Sequence, residues 1–233
     1  MLDWELAQFD NAVDDVFGFR AVQAGLPEID FLRRNRIPFR FSLALEPGAA
    51  VAADPLQLPL ASQSIDLLAL PHVLETHNDA HQVLREAERV LMPEGQLVVS
   101  GFNPLSLWRV RQAFSGRRAG APWDARFISL LRLRDWLRLL GFELNGGVFG
   151  CYAPPFAQPN WLARFEFMER AGARWWPILG GVYVVRAVKR VAGMRVVTPA
   201  WRRERARRRA LAAVPQRNGA VAQSRRHPER RST

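Results

Sequence analysis

The sequence lacks the features of a disulfide-stapled or membrane-spanning protein. Cys151 is its only cysteine, and a disulfide framework needs paired cysteines. No apolar run approaches the roughly 18 residues of a membrane-spanning helix. The first ten residues, MLDWELAQFD, are acidic and amphipathic, unlike a secretory signal peptide. We therefore expect a cytoplasmic, bacterial-type protein without a membrane span.

Acidic residues are outnumbered, but the imbalance lies at one end of the chain. The formal charge is +11, and residues 202–233 hold eleven arginines and two acids, which accounts for +9 of it. The remaining residues are nearly neutral, so basicity is weak evidence for a nucleic-acid-binding fold. We expect one folded domain over residues 1–200 and a disordered Arg-rich tail over 201–233. Any contact with nucleic acid or an anionic surface is expected through this tail.

Residues 51–104 have the pattern of a strand–helix–strand unit. Two short apolar runs, 65–71 and 96–102, are typical of strands buried on both faces of a parallel sheet. Between them, residues 78–91 have helical spacing, with Pro93–Gly95 to end the helix. The sequence therefore predicts a βαβ unit.

Similar patterns predict the other elements of an α/β fold. Strands are predicted over 19–24, 40–46, 51–53, 142–148 and 180–188, and helices over 2–16, 104–114, 128–140 and 161–169. Gly141 is expected to end the helix before it. Trp175 and Trp176 are expected to pack against the edge of the sheet.

The central unit resembles the class I S-adenosylmethionine (SAM)-dependent methyltransferases, in particular the type-11 methyltransferase domain. The segments that carry the resemblance are AADPLQLPLASQSIDLLALPHVLE and LREAERVLMPEGQLVVSGFNP. Their LPHxLE and GFNP motifs are similar to those of a bacterial subgroup. The likeness is clear over residues 51–108, fainter over 17–50 and 127–190, and absent from the tail.

The resemblance implies a fold, a cofactor and an activity. The fold is a Rossmann-like sheet of seven mostly parallel strands, with helices on both faces and the last strand antiparallel. The cofactor is SAM, and the activity is transfer of its methyl group to an unidentified acceptor. Most of the catalysis would come from holding the acceptor and the methyl group in line.

The turn after the first strand departs from the family pattern. Gly25 is predicted to let the backbone approach the cofactor closely. The usual motif is an acidic residue followed by Gly-x-Gly-x-Gly, whereas residues 22–30 here read VQAGLPEID. In one interpretation Gln23 replaces the acid as a hydrogen-bond acceptor. In the alternative, the loop is degenerate and the protein is a non-catalytic binding or scaffold protein.

Three residues are predicted to hold the adenosine part of the cofactor. Glu46 lies 21 residues after Gly25, where such folds grip ribose hydroxyls, although it is also placed to start a turn. The resemblance implies that Asp54 accepts a hydrogen bond from the adenine amino group, and the alternative is a local turn at Pro55. Because Pro55 has no N–H, Leu56 would be the backbone donor to the ring.

The predicted ends of the fourth and fifth strands supply the candidates nearest the chemistry. Pro71 and His72 end the fourth strand, where the resemblance places the methionine part of SAM and the acceptor. His72 is a candidate general base and Glu75 a candidate to orient it; the alternative for His72 is a bond to a nearby carbonyl. Asn103 could orient the acceptor or cap the helix that follows, and both roles can hold together.

A metal site is not predicted. The histidines and acids after the fourth strand do not have the spacing of a compact metal motif such as HExxH.

Overall fold

A computed structural model describes residues 1–107, 126–152, 172 and 174–190. These residues belong to one unit, Met1–Val191. The helix predicted over 161–169, most of the one predicted over 104–114, and the tail over 201–233 lie outside the described residues. The domain boundary near residue 200 therefore stays a prediction.

The seven predicted strands form one sheet. They are β1 Arg20–Ala24, β2 Phe39–Ala44, β3 Val51–Ala52, β4 Ile65–Pro71, β5 Leu91–Phe102, β6 Phe142–Gly150 and β7 Val182–Lys189. Their order across the sheet is β3-β2-β1-β4-β5-β7-β6. Strands β1 to β5 pair in parallel, and β7 runs antiparallel to both β5 and β6. The predicted fold class is confirmed.

Helices cover both faces of the sheet. The described helices are α1 Leu2–Val13, α2 Val73–Thr76, α3 Ala80–Val90 and α4 Leu130–Leu139, with a short 3₁₀ helix at Pro177–Leu179. The apolar sides of α3 and α4 pack into one core cluster, while α1 packs into a second. Strands β4 and β5 contribute to both clusters, which explains why they are apolar on both faces. Within the described residues, no helix is long and apolar enough to cross a bilayer.

The βαβ unit differs from its prediction at the start of β5. The strand begins at Leu91, which pairs with Ile65, and the next pair is Leu67 with Gln96. The extra residues of β5 form an irregularity in which Glu94 has a φ of 65°. Tertiary pairing thus extends the strand back to the end of α3. Gly141 follows α4 with a φ of 81°, as predicted for a C-terminal cap.

The connection from β1 to β2 contains turns and no helix. Its side chains cover this face of the sheet instead, and Phe31, Leu32 and Ile37 are buried against α1. The rings of Phe9 and Phe31 have centroids 4.6 Å apart. This loop therefore depends on side-chain packing and side-chain hydrogen bonds to hold its shape.

One packing prediction is wrong. Trp175 and Trp176 are 71% and 56% exposed, so they do not pack against the sheet edge.

Candidate cofactor site

A cleft lies at the carboxyl ends of β1, β2 and β4. It is lined by 25–28 after β1, Leu45 and Glu46 after β2, Pro55 after β3, 71–73 where β4 passes into α2, and 76–77 at the end of α2. The carboxyl edge of a parallel sheet is where such folds bind ligands. The structure thus brings four of the predicted residues to one cleft: Gly25, Glu46, Pro71 and His72.

Gly25 is required at its position for two reasons. Its φ is 81°, a conformation that residues with a Cβ rarely adopt. A Cβ built on it would lie 2.7 Å from Cγ2 of Val73. The turn after β1 therefore requires glycine because of its own backbone conformation and its contact with Val73, and the close approach of this backbone to a cofactor stays a prediction.

Gln23 holds this turn from inside the protein. Its Nε2 lies 3.1 Å from the carbonyl oxygen of Gly25, 2.9 Å from that of Leu26 and 2.7 Å from that of Ile29. Its Oε1 accepts a hydrogen bond from the N–H of Phe31 at 2.9 Å. The side chain is buried and engaged with the loop backbone. Gln23 is an acceptor, as one interpretation proposed, but its partner is Phe31.

Asp54 and Leu56 form a local turn beside the cleft. Oδ1 of Asp54 accepts a hydrogen bond from the N–H of Leu56 at 2.8 Å. Nε2 of His77 is 3.8 Å from the same oxygen. The structure thus has the Asx turn that the sequence offered as the alternative. Because the Leu56 N–H already donates to Asp54, an adenine ring would have to displace this bond. Adenine binding by the two residues stays a prediction.

His72 is buried between two carboxylates. Its Nδ1 lies 2.8 Å from Oε2 of Glu75, and its Nε2 lies 3.1 Å from Oε1 of Glu5. Glu75 also accepts from the N–H of Phe102, and Glu5 accepts from the hydroxyl of Ser100. The imidazole packs on the Phe102 ring with centroids 4.3 Å apart. Both ring nitrogens therefore have hydrogen-bond partners inside the protein.

These contacts keep the imidazole protonated. Burial lowers the pKa of His72, but the hydrogen bonds to Glu5 and Glu75 outweigh it and raise the pKa to about 10. Two carboxylates around one imidazolium leave an excess negative charge, and burial of that charge raises the pKa of Glu75. A general base must be unprotonated at the working pH. The arrangement opposes the predicted base role of His72, whereas Glu75 orients the ring as expected.

Glu5 is a site residue that the sequence interpretation missed. It is 1% exposed, and its partner His72 lies 67 positions away in the sequence. The available signal was its spacing, since Glu5, Phe9 and Val13 lie four apart on the buried side of α1. A carboxylate on a buried stripe needs a partner.

Asn103 is used inside the fold. Its Nδ2 donates to the carbonyl oxygens of Ile178 at 2.6 Å and Gly180 at 2.9 Å. Its Oδ1 accepts from the N–H of Leu105 at 3.1 Å. The side chain joins the end of β5 to the segment before β7, and it does not line the cleft. The bond from the Leu105 N–H is of the kind that the capping alternative requires. The orienting role of Asn103 stays a prediction.

The other two described histidines contact neighbouring groups of the fold. Nδ1 of His77 is 2.8 Å from the carbonyl oxygen of Val73, and the His81 ring packs at a tilt of 46° against Trp136, with centroids 3.8 Å apart. In the part of the chain that the structure describes, no group of histidines, cysteines and acids is arranged to hold a metal ion.

The strand order, the antiparallel β7 and the cleft define the fold of the class I SAM-dependent methyltransferases. Residues 35–99 match the family model described as a methyltransferase domain. A Thermotoga maritima structure, a SAM-dependent methyltransferase and possible histamine N-methyltransferase, superposes with a TM-score of 0.57 at 20% identity, covering 81% of this chain and 91% of that one. A SAM-dependent methyltransferase from Mesorhizobium loti gives 0.57 at 16% identity, covering 81% and 100%. These likenesses show the fold.

Curated relatives match over part of their length. The uncharacterized protein YafS of Escherichia coli is 47% identical over 94 residues, which are 40% of this chain and 39% of YafS. Malonyl-[acyl-carrier protein] O-methyltransferase of Laribacter hongkongensis is 39% identical over 94 residues, which are 40% of this chain and 31% of that protein. The chain thus spans between three tenths and two fifths of these two relatives.

Proposed function

We propose that this protein is a SAM-dependent methyltransferase that binds its cofactor in the cleft at the carboxyl ends of β1, β2 and β4. The observation that carries the proposal is the turn at Gly25, where a positive φ and the contact with Val73 leave room only for glycine. This turn faces the cleft in a fold whose central part matches a methyltransferase domain. The methyl acceptor is unidentified.

The residues of the cleft fit a cationic cofactor. Glu28 and Glu46 both line it, and no lysine or arginine is among the described residues that line it. SAM carries a sulfonium and an ammonium group, so carboxylates in the wall favour its binding. Glu46 would hold the ribose hydroxyls, because a carboxylate accepts two hydrogen bonds. When bound, SAM would supply an electrophilic methyl group on its sulfonium, with S-adenosylhomocysteine as the leaving group.

The protein's own contribution would be orientation and exclusion of water. The His72 imidazole is engaged on both sides by carboxylates, so it is not placed to take a proton from the acceptor. Its contacts instead fix the end of β4, which forms one wall of the cleft. Methyl transfer needs little side-chain chemistry, and a positioned acceptor accounts for much of such a rate enhancement.

The test is transfer of a tritiated methyl group. The full chain is incubated with methyl-labelled SAM and cell extract of its source organism, which is then separated into small-molecule, lipid, RNA and protein fractions. We expect label in one fraction, and an excess of S-adenosylhomocysteine should suppress it. Absence of suppressible label from every fraction would contradict the proposed activity.

A further inference from the structure

The loop after β1 is held by the side chain of Gln23. This side chain is buried in the fold and is not available to bind a ligand. The side chain is 2% exposed, and its amide lies within hydrogen-bond distance of three loop carbonyls. Its Oε1 accepts from the N–H of Phe31. In a family whose usual motif has an acid here, the carboxylate next to the glycine turn is thus replaced by an inward-facing amide.

The same loop places a different carboxylate in the cleft. Glu28 lies three residues after Gly25 and lines the cleft with it. The side chain is exposed and has no ion-pair partner among the described residues, although the chain is rich in arginine. Most other acids on the described part of the surface are paired, as Asp10 is with Arg33 at 2.6 Å. An unpaired carboxylate that faces a ligand cleft is available to a cationic group.

We propose that Glu28 binds the α-ammonium group at the amino-acid end of the cofactor, and that Gln23 is the positioning residue that holds the loop presenting it. This inference rests on the proposed function. Among the described residues of the cleft, Glu46 is the other carboxylate, but it lies after β2, on a different loop and at the spacing of a ribose ligand. The two carboxylates thus bind different parts of the cofactor, Glu46 the ribose and Glu28 the amino-acid end.

Two ligands distinguish binding at this subsite from binding in the rest of the cleft. S-adenosylhomocysteine carries the amino-acid end, and 5′-methylthioadenosine has the same adenosine but lacks that end. Calorimetric titrations of the full chain with both ligands are compared for wild type and Glu28→Gln. We expect Glu28→Gln to weaken S-adenosylhomocysteine binding about tenfold, as for loss of a solvent-screened charged hydrogen bond. Its affinity for methylthioadenosine should change less than about twofold.

Asp30→Asn is the matched control for the change of charge. Asp30 is on the same loop, and its Oδ1 accepts from the N–H of Leu32 at 2.9 Å, which an asparagine oxygen can also do. It lies outside the cleft, so both affinities should remain those of wild type. If Glu28→Gln and Asp30→Asn lower the affinities for both ligands to the same extent, the assignment of the subsite to Glu28 is wrong.

Gln23→Glu tests the positioning role. This variant restores the acid of the family motif, but it places a carboxylate against three carbonyl oxygens and removes their donor. We expect it to weaken both ligands, whereas a tighter S-adenosylhomocysteine complex would contradict the inference. If wild type binds both ligands and Glu28→Gln changes neither or both equally, the inference fails and the proposed function stands. If wild type binds neither ligand, the proposed function fails as well.

Discussion

At the scale of single residues, His72 is held as a cation inside the protein. Glu5 and Glu75 accept hydrogen bonds from its two ring nitrogens and raise its pKa to about 10, against the lowering effect of burial. A folded-state pKa above the ordinary value of about 6.5 stabilises the fold fully below pH 6.5. That contribution is lost as the pH rises through about 10.

The first prediction is that His72 remains doubly protonated at pH 8. Nitrogen-15 spectra of histidine-labelled protein should show the His72 imidazole with both nitrogens protonated at this pH, and the His72→Gln variant should lack this signal. Over pH 6.5 to 10, the free energy of unfolding should fall by up to about 1.4 kcal/mol per pH unit. A His72 resonance that titrates near pH 6.5 would contradict the imidazolium assignment.

Asn103 provides the second prediction at this scale. Asn103→Ala removes three hydrogen bonds from a buried junction and leaves carbonyls of Ile178 and Gly180 without their donor. We expect a loss of about 1–3 kcal/mol in the free energy of unfolding. Calorimetry should find the affinity for S-adenosylhomocysteine unchanged, because the side chain does not line the cleft. Unchanged stability with lost methyl transfer would instead support the orienting role.

Whether the sequence predicts the environment of a residue depends on how far along the chain its partner lies. The turn after β1 is local, so its need for glycine at position 25 could be predicted, whereas the contact of Gly25 with Val73 could not. The environment of His72 could not, because Glu5 joins it from 67 positions away. Leu56 is an intermediate case, since the sequence predicts its turn with Asp54 as the alternative to a role in ligand binding.

At the scale of elements, helix α3 also organises the loop that follows β3. Arg89 donates to the carbonyl oxygens of Leu58 at 2.9 Å and Leu60 at 2.8 Å. Glu86 accepts from the N–H of Leu58 at 2.9 Å and pairs with Arg89 at 2.8 Å. These polar residues lie on the side of α3 away from its buried stripe, and they tie the helix to the chain between β3 and β4.

We therefore expect Arg89→Ala to destabilise the protein more than Arg85→Ala. The first variant leaves two loop carbonyls without their donor, at a cost of about 1–2 kcal/mol. Arg85 is the matched control, since the hydrogen bond that its side chain makes among the described residues goes to Gln82 of the same helix, at 3.3 Å. That change should cost less than about 0.5 kcal/mol. Equal losses in urea unfolding would show that the loop contacts do not contribute.

The elements that the sequence predicts best are those whose pattern is complete within a short segment. Strand β4 has the predicted bounds, and α3 lies within its predicted range. The start of β5 was missed because Leu91 is drawn into the sheet by pairing with Ile65. Helix α1 ends three residues before its predicted limit, although Val16 is still buried. Packing can bury a residue without extending its helix.

At the scale of the whole molecule, most of the net positive charge is concentrated in the last 32 residues of the sequence. Residues 202–233 hold +9 of the net +11. These residues lie outside the described part of the chain, so the argument is one of composition. We propose that contacts with nucleic acid or anionic surfaces depend on this tail.

The tail prediction compares the full chain with a variant ending at residue 201. Removal of the tail should leave the thermal midpoint nearly unchanged, because the tail has few large apolar residues to bury. It should also abolish most of the salt-sensitive retention on RNA or anionic vesicles. RNA retention that survives truncation would place the basic site within residues 1–201.

The central claim is that the cleft beside Gly25 binds SAM and its product. Isothermal titration of the full chain with S-adenosylhomocysteine tests it directly, with Gly25→Ala as the comparison. The added methyl group would meet Cγ2 of Val73 at 2.7 Å in a backbone conformation that disfavours alanine. We predict saturable one-to-one binding by wild type and loss of most of that affinity in Gly25→Ala, with circular dichroism showing both proteins folded. Absence of binding by folded wild type at millimolar ligand, or equal affinity in the two proteins, would contradict the account.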